Sequence, residues 1–375
     1  MFSSAFKYKF RLTFLLCVVV NVIAACTATT TASSPQSTWI AEQNTGCKVW
    51  DPVPKPNETA AWSGACESGF AEGPGSLQWS VDGKPTERDE GQWHIGKMTG
   101  HGSYTRANGS RFDGEFVEGI KNGHGVWRSA NGAVYDGDFQ SGKMTGHGIY
   151  TIGNDYRYKG DLKNGKFDGH GILSSVKGSY DGEWRNGEQN GHGRWTQPDG
   201  SSYDGNWVDG KKNGTGVTIV AGSKGTIRYE GEMRDGKFNG HGIMTYPNGE
   251  TYDGQWRDGN WDGHGVWINK STRYEGEFRD NKKNGYGVWT APLHISYAGE
   301  YRDNKMDGHG VFTWPDGSYY DGEFRNDRPN GFGAYTSKSG TVTGHWINGC
   351  LDPPDPAHPL KPLFSGSCSP AEQTK

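Results

Sequence analysis

Residues 112–127 read FDGEFVEGIKNGHGVW. In Phe112-Asp113-Gly114-Glu115-Phe116, successive side chains of an extended strand point to opposite faces, so both rings share one face with Gly114. In Gly123-His124-Gly125-Val126-Trp127, the glycines and Trp127 share a face, with His124 and Val126 opposite. Between the two segments stands Gly119, and in later copies of the stretch its place is taken by Asn281, Asn304 and Asp327. Gly, Asn and Asp best tolerate positive φ, so this substitution pattern marks a hairpin turn with a left-handed residue, of the kind that three- to five-residue loops use. A turn near residues 119–120 sets Phe116 opposite Gly123 and Phe112 opposite Trp127. Phe116 then faces a residue without a Cβ and Phe112 faces another ring.

The stretch recurs along the chain. Its anchor glycine, Gly114 here, is repeated at Gly64, Gly91, Gly137, Gly160, Gly182, Gly205, Gly231, Gly254, Gly276, Gly299, Gly322 and Gly344, mostly 22 or 23 residues apart. Nine residues after each of the first twelve anchors comes Gly-x-Gly, without exception. Only the segment from Gly-x-Gly to the next anchor changes length, and it carries turn pairs such as Asn108-Gly109, Asp199-Gly200 and Asp316-Gly317. One turn is therefore geometrically fixed while the other tolerates insertion. Repetition also explains the composition. Leu, Ile, Val and Phe make up only about 15% of the 375 residues, too few for a large aliphatic core. The 60 Gly, 15 Trp and 18 Tyr, with a net charge of only −4, argue against disorder. The expected fold is all-β, an elongated single-layer twisted antiparallel sheet of about twelve consecutive hairpins, roughly 115 Å long at about 4.8 Å per strand. A lone hairpin buries little, so stability must come from stacking neighbours.

The pattern Y-x-G-E-x-x-x-G-x-x-x-G-x-G resembles the MORN repeat over residues 62–349. Departures occur at the ends, as capping units require. Trp62-Ser63-Gly64-Ala65-Cys66 is a degenerate opening repeat, Asp89 stands where a ring belongs before Gly91, and Val342 does so before Gly344. The resemblance implies scaffolding, protein assembly and, in some members, membrane association.

The flanks read as export and anchoring. Lys7, Lys9 and Arg11 precede the apolar run Leu12 to Ile23, and Ile23-Ala24-Ala25-Cys26 resembles the lipobox of bacterial lipoproteins, in which the cysteine is acylated. The apolar run is shorter than the roughly 20 residues of a membrane-spanning helix. Residues 1–25 are thus expected to be a signal peptide, Cys26 the lipidation site, and residues 26–38 a flexible tether. Residues 39–87 form an N-terminal cap, 88–349 the repeat array, and 350–375 a Pro-rich tail. Thr27 after the cysteine points to the outer membrane. Outside the leader and lipobox, Cys47, Cys66, Cys350 and Cys368 lie in two close pairs, and the expected disulfides are Cys47–Cys66 and Cys350–Cys368. Zinc is the rival for these thiols, with unsuitable spacing. After cleavage the charge is about −7, which disfavours nucleic acid.

Catalytic and cofactor signatures are absent: there is no G-x-S-x-G, H-E-x-x-H, G-x-G-x-x-G or P-loop. Eight histidines occupy the middle of Gly-x-Gly, among them His101, His124, His147 and His170; Thr215, Tyr286 and Phe332 take their place elsewhere. Equivalent histidines in neighbouring repeats are roughly 9.6 Å apart, too far to share one ion. A cross-strand pair with the acid after the anchor, such as Glu115, Asp138, Asp161, Glu183 or Glu232, accounts for them better. No cofactor, metal or catalytic residue is therefore expected. The candidate binding groove is the ring row Tyr135, Tyr158, Tyr180, Tyr203, Tyr229, Tyr252, Tyr274, Tyr297 and Tyr320, with Trp184, Trp207 and Trp256. The expected function is that of a lipid-anchored cell-envelope scaffold binding a protein or polymer. Envelope polysaccharide and phospholipid headgroups are the alternative ligands, and an end-to-end or edge-mediated homo-oligomer is also allowed.

Overall fold

The computed structural model describes residues 38–352, so Cys26, Cys368 and all but Thr38 of the tether lie outside the described residues. No α-helix occurs among the described residues. From Phe70–Val81 to Cys350–Asp352, each strand pairs antiparallel with the one before it and the one after, giving one long, twisted, open sheet. Ala133–Gln140 and Lys143–Ile152 make a representative unit. Tyr135 lies opposite Tyr150 and Gly137 opposite Gly148, and Phe139 meets Met144 across a bulge.

The fixed turn is tighter than the sequence suggests. Val117 pairs with Ile120, so the loop is the two residues Glu118 and Gly119, both with positive φ (53° and 78°). That is the type I′ geometry whose twist matches the flanking strands. It explains why Glu118, Ser141, Asn164, Asp209 and Asp235, all at positive φ, precede the turn glycine or its substitute. A second correction follows from the bulge. Phe116 lies opposite Lys121, not Gly123, and Gly123 instead faces Phe139 of the next unit. Phe112 does face Trp127. The two extra residues on the returning strand leave the first glycine of Gly-x-Gly with positive φ, 104° at Gly123 and 113° at Gly308.

Repeats are clamped at their turns. The turn amide donates to the carbonyl of the preceding repeat, as in Gly142 to Lys121, Gly165 to Met144 and Gly259 to Phe238. Where Asn or Asp replaces the glycine, its side chain adds a second link. Asn281 Oδ1 accepts from Trp261 N, Asn304 Oδ1 from Lys283 N and Asp327 Oδ1 from Met306 N, each at 2.8 Å. Backbone strain at these positions is offset by a hydrogen bond between repeats.

Rings fill the space that aliphatic residues fill elsewhere. Tyr158 lies flat across Gly160 and Gly171, and a Cβ on Gly171 would sit 2.3 Å from its hydroxyl oxygen. Trp62 lies over Gly64 and Gly75 in the same way, so the opening unit follows the repeat geometry. At the other end Leu351 covers Gly344. The N-terminal cap is held by the Cys47–Cys66 disulfide and a parallel bridge from Lys48 to Phe70, and Trp50 lies against the Gly119 turn. Cys350 is also disulfide-bonded, and the expected partner Cys368 lies outside the described residues.

Candidate binding face

The two faces of the sheet differ in chemistry. On one, in eight of the repeats the ring two residues before the anchor glycine packs edge-on against the ring two residues after it. Tyr252 and Trp256 have centroids 5.3 Å apart, and Tyr252 and Phe278 of the next repeat 5.2 Å. Such edge-to-face pairs add about 0.5–1.5 kcal/mol each beyond the area they bury.

The polar ends of these rings are committed internally. The tyrosine hydroxyl donates to the carbonyl three residues on, which stands at the bulge: Tyr158 to Asp161 at 2.8 Å, Tyr229 to Glu232 at 2.7 Å and Tyr252 to Gln255 at 2.9 Å. Trp184, Trp207 and Trp256 donate their indole N–H to a Gly-x-Gly carbonyl of the preceding repeat, at 3.0, 2.9 and 2.9 Å. Burial drives the tyrosine hydroxyls well above their usual range, so they stay neutral donors.

These contacts correct the groove drawn from the sequence. Tyr135, Tyr158, Tyr180, Tyr203, Tyr252, Tyr274, Tyr297 and Tyr320 are 0% exposed, Tyr229 is 1%, and Trp184, Trp207 and Trp256 are 5–6%. They are the core of the sheet, because each is enclosed by its own glycines below and by rings of its own and the adjacent repeat. The accessible rings on this face lie thirteen residues after the anchor: Trp127, Tyr150, Trp195, Trp267, Trp289 and Tyr335, all half-buried. Phe167, Phe238 and Trp261, seven residues after the anchor, are also half-buried and stack on the tyrosines, with Trp261 and Tyr252 at 4.3 Å and 8°. Their sequence signal is Gly-x-Gly-x-ring, visible at Trp127. What alternation along a strand does not say is which of two rings on one face lies beneath the other.

The opposite face carries the histidines. His101, His124, His192, His241 and His309 lie 2.9–3.3 Å from Asp113, Asp136, Asp204, Asp253 and Asp321, the acids before the anchor. The backbone register sets His101 opposite Glu115 and His124 opposite Asp138, so the acid across the strand pair belongs to the next repeat. The side chains pair diagonally, however, and only His147 bonds the acid directly across, Asp161, where Lys159 replaces the usual partner. Elsewhere the acid after the anchor turns back to its own bulge: Glu183 accepts from His192 N at 3.1 Å and Glu232 from His241 N at 3.0 Å. These pairs are well exposed and contribute little to stability. No cluster of three or more His, Cys, Asp and Glu side chains suited to a metal occurs among the described residues.

Asp89 is the irregular core position. It replaces the ring over Gly91 and Gly102, where Met98 Sδ fills the gap. Its Oδ2 accepts from the Trp79 indole at 2.8 Å while Oδ1 has no partner. Burial, reinforced by the nearby Glu87, raises its carboxyl to about 8. The folded chain therefore holds a proton that the unfolded chain releases near pH 4, and the stability contributed by this group is lost as pH rises from about 4 to about 8. Asp89→Asn is expected to flatten that dependence, leaving the variant more stable than the parent at pH 8 by a larger margin than at pH 5. Urea titrations at the two pH values check it, and equal margins would show that Asp89 is ionised in the folded chain.

Comparison with known proteins agrees with this geometry. The family model described as MORN repeat matches residues 90–111, 112–134, 135–155, 158–179, 180–202, 203–219, 229–251, 252–270, 274–292, 297–319 and 320–342. A search of curated proteins found no match. With eleven matched repeats covering most of a continuous hairpin sheet, the chain belongs to the MORN repeat family.

Proposed function

We propose that the protein is a bacterial, lipid-anchored scaffold of the cell envelope, attached through Cys26 at the outer membrane, that binds partner proteins along its half-buried ring face. Repeats of this family are in general protein- or membrane-binding modules, and proteins built from them are typically non-catalytic. The observation that carries the reading is the row Trp127, Tyr150, Trp195, Trp267, Trp289 and Tyr335. It lies on a single-layer sheet, recurs in six of the hairpins, and is not sealed as the tyrosine row beneath it is. Rings half open to solvent supply contact area at low entropic cost, the composition that marks interface centres. The lipobox-like Ile23-Ala24-Ala25-Cys26 and the cysteine pairs support export and anchoring.

Crosslinking in intact envelopes, followed by pull-down of the chain, tests the reading. Trp195→Ala, Trp267→Ala and Trp289→Ala combined are expected to remove at least nine-tenths of the captured partner while circular dichroism stays that of the parent. Retention of the partner would exclude this face. Cys26→Ser is expected to shift the protein from the membrane to the soluble fraction.

A further inference from the structure

Charge is unevenly divided between the two faces. The acids before and after the anchors, with their histidines, lie on the face opposite the rings. The central rows of the ring face from Phe112 to Trp346 contain no Asp or Glu, and Glu250 at their margin is engaged by the Trp267 indole at 2.7 Å. What those rows do contain is Lys121, Lys212 and Lys283, each seven residues after an anchor, where other repeats have Met144, Phe167, Phe238, Trp261 or Met306. The Lys121 ammonium lies 5.7, 5.3 and 5.2 Å from the ring centroids of Tyr104, Phe112 and Phe139. Lys283 lies 5.3, 4.6 and 5.7 Å from Trp267, Tyr274 and Tyr301, and Lys212 lies 4.7 Å from Tyr203.

None of the three forms an ion pair with a carboxylate of the described residues. Desolvation lowers each ammonium to about 8, and Glu87 and Asp327 exert only lesser pulls on Lys121 and Lys283. A half-buried cation held by rings alone lacks a counter-ion, and a desolvated ammonium gains more from a carboxylate than an exposed one does. Polar groups that could serve sugar hydroxyls are scarce here, because the tyrosine hydroxyls are bonded to backbone carbonyls. Buried hydroxyls without partners are costly, so the face suits apolar side chains interrupted by carboxylates better than a glycan.

We infer that Lys121, Lys212 and Lys283 are specificity determinants of the ring face, selecting a partner polypeptide segment that presents apolar side chains with acidic residues among them. This rests on the binding reading above and names the chemistry of its partner. The lysines are four and three repeats apart, about 38 and 29 Å along the sheet, so one long segment can meet more than one of them.

The test uses fluorescence anisotropy with the full chain and two labelled 24-residue peptides, one alternating Glu with Leu and Phe, the other with Gln in place of every Glu. The protein variants are the combined Lys121→Met, Lys212→Met and Lys283→Met, and the ring variant of the preceding section. Methionine already occupies this position in other repeats, so the lysine variant keeps the cover over the tyrosines. The Glu peptide is expected to bind the parent at least tenfold more tightly than the Gln peptide, and the lysine variant is expected to lose that preference. Equal binding of both peptides to the parent, lost in the ring variant, overturns the lysine assignment while the ring face stands. Unchanged preference in the lysine variant also overturns it. No binding of the Glu peptide, or tighter binding of polygalacturonate than of the peptide, overturns the acidic-segment partner.

Discussion

Tyr252→Ala is expected to lower the stability of the array by about 3–5 kcal/mol, as removal of a fully buried ring does. Tyr252 is 0% exposed and meets Trp256, Trp261 and Phe278 with centroids 5.3, 4.3 and 5.2 Å away. Its hydroxyl also satisfies the Gln255 carbonyl. Tyr252→Phe retains the ring contacts and loses only that bond, at about 1 kcal/mol. Because Phe278 belongs to the next repeat, the alanine change weakens an interface as well as a unit. In a linear array whose stability is a sum of units and neighbour terms, a weak link in the middle lets the two halves melt apart. A single urea transition in the parent should therefore split in two, with hydrogen exchange fastest beside residue 252. A loss below about 1 kcal/mol would mean that the ring is not part of a core.

The second large effect comes from adding one methyl group. Gly254→Ala would put a Cβ 2.5 Å from the Gly265 Cα, 2.7 Å from the Tyr252 hydroxyl and 2.8 Å from the His264 carbonyl. Two of these are backbone atoms of the neighbouring strand and cannot turn aside, so the strands must separate. The cost is about 3 kcal/mol, the upper end of overpacking. Gly259→Ala is the informative control. That turn glycine has φ +89° and nothing within 4 Å of an added Cβ, so only left-handed strain of about 1–2 kcal/mol applies. If Gly259→Ala proved the more damaging of the two, ring-over-glycine packing would not be what limits stability.

Much of this could be read from the residues. Alternation in Phe112-Asp113-Gly114-Glu115-Phe116 assigned the ring face, and an added Cβ on Gly125 would indeed lie 2.4 Å from Phe112. The Cys47–Cys66 pairing was legible from proximity in the chain. Turn length was not. Val117–Ile120 pairing and the bulge after Gly114 are settled together, since a two-residue turn can coexist with Gly114 opposite Gly125 only if extra residues are absorbed between them. That bulge redirected Glu115 and its equivalents toward their own hairpins and left the histidines to Asp113, Asp136 and Asp253.

The candidate site depended still more on three dimensions. Period-2 alternation tells that Tyr135 and Tyr150 share a face, because it is a property of one strand. Depth on that face is a property of neighbouring repeats. Tyr135 lies across Gly137 and Gly148 and is sealed, while Tyr150, directly opposite it, stays half open. By itself the sequence determined the repeat, its hairpins and the side of the sheet on which rings and glycines gather, since these follow from local backbone geometry. Only the tertiary structure decided which rings are core, which remain for a partner, and that three lysines stand among them without a counter-charge, because those follow from how each repeat roofs the next.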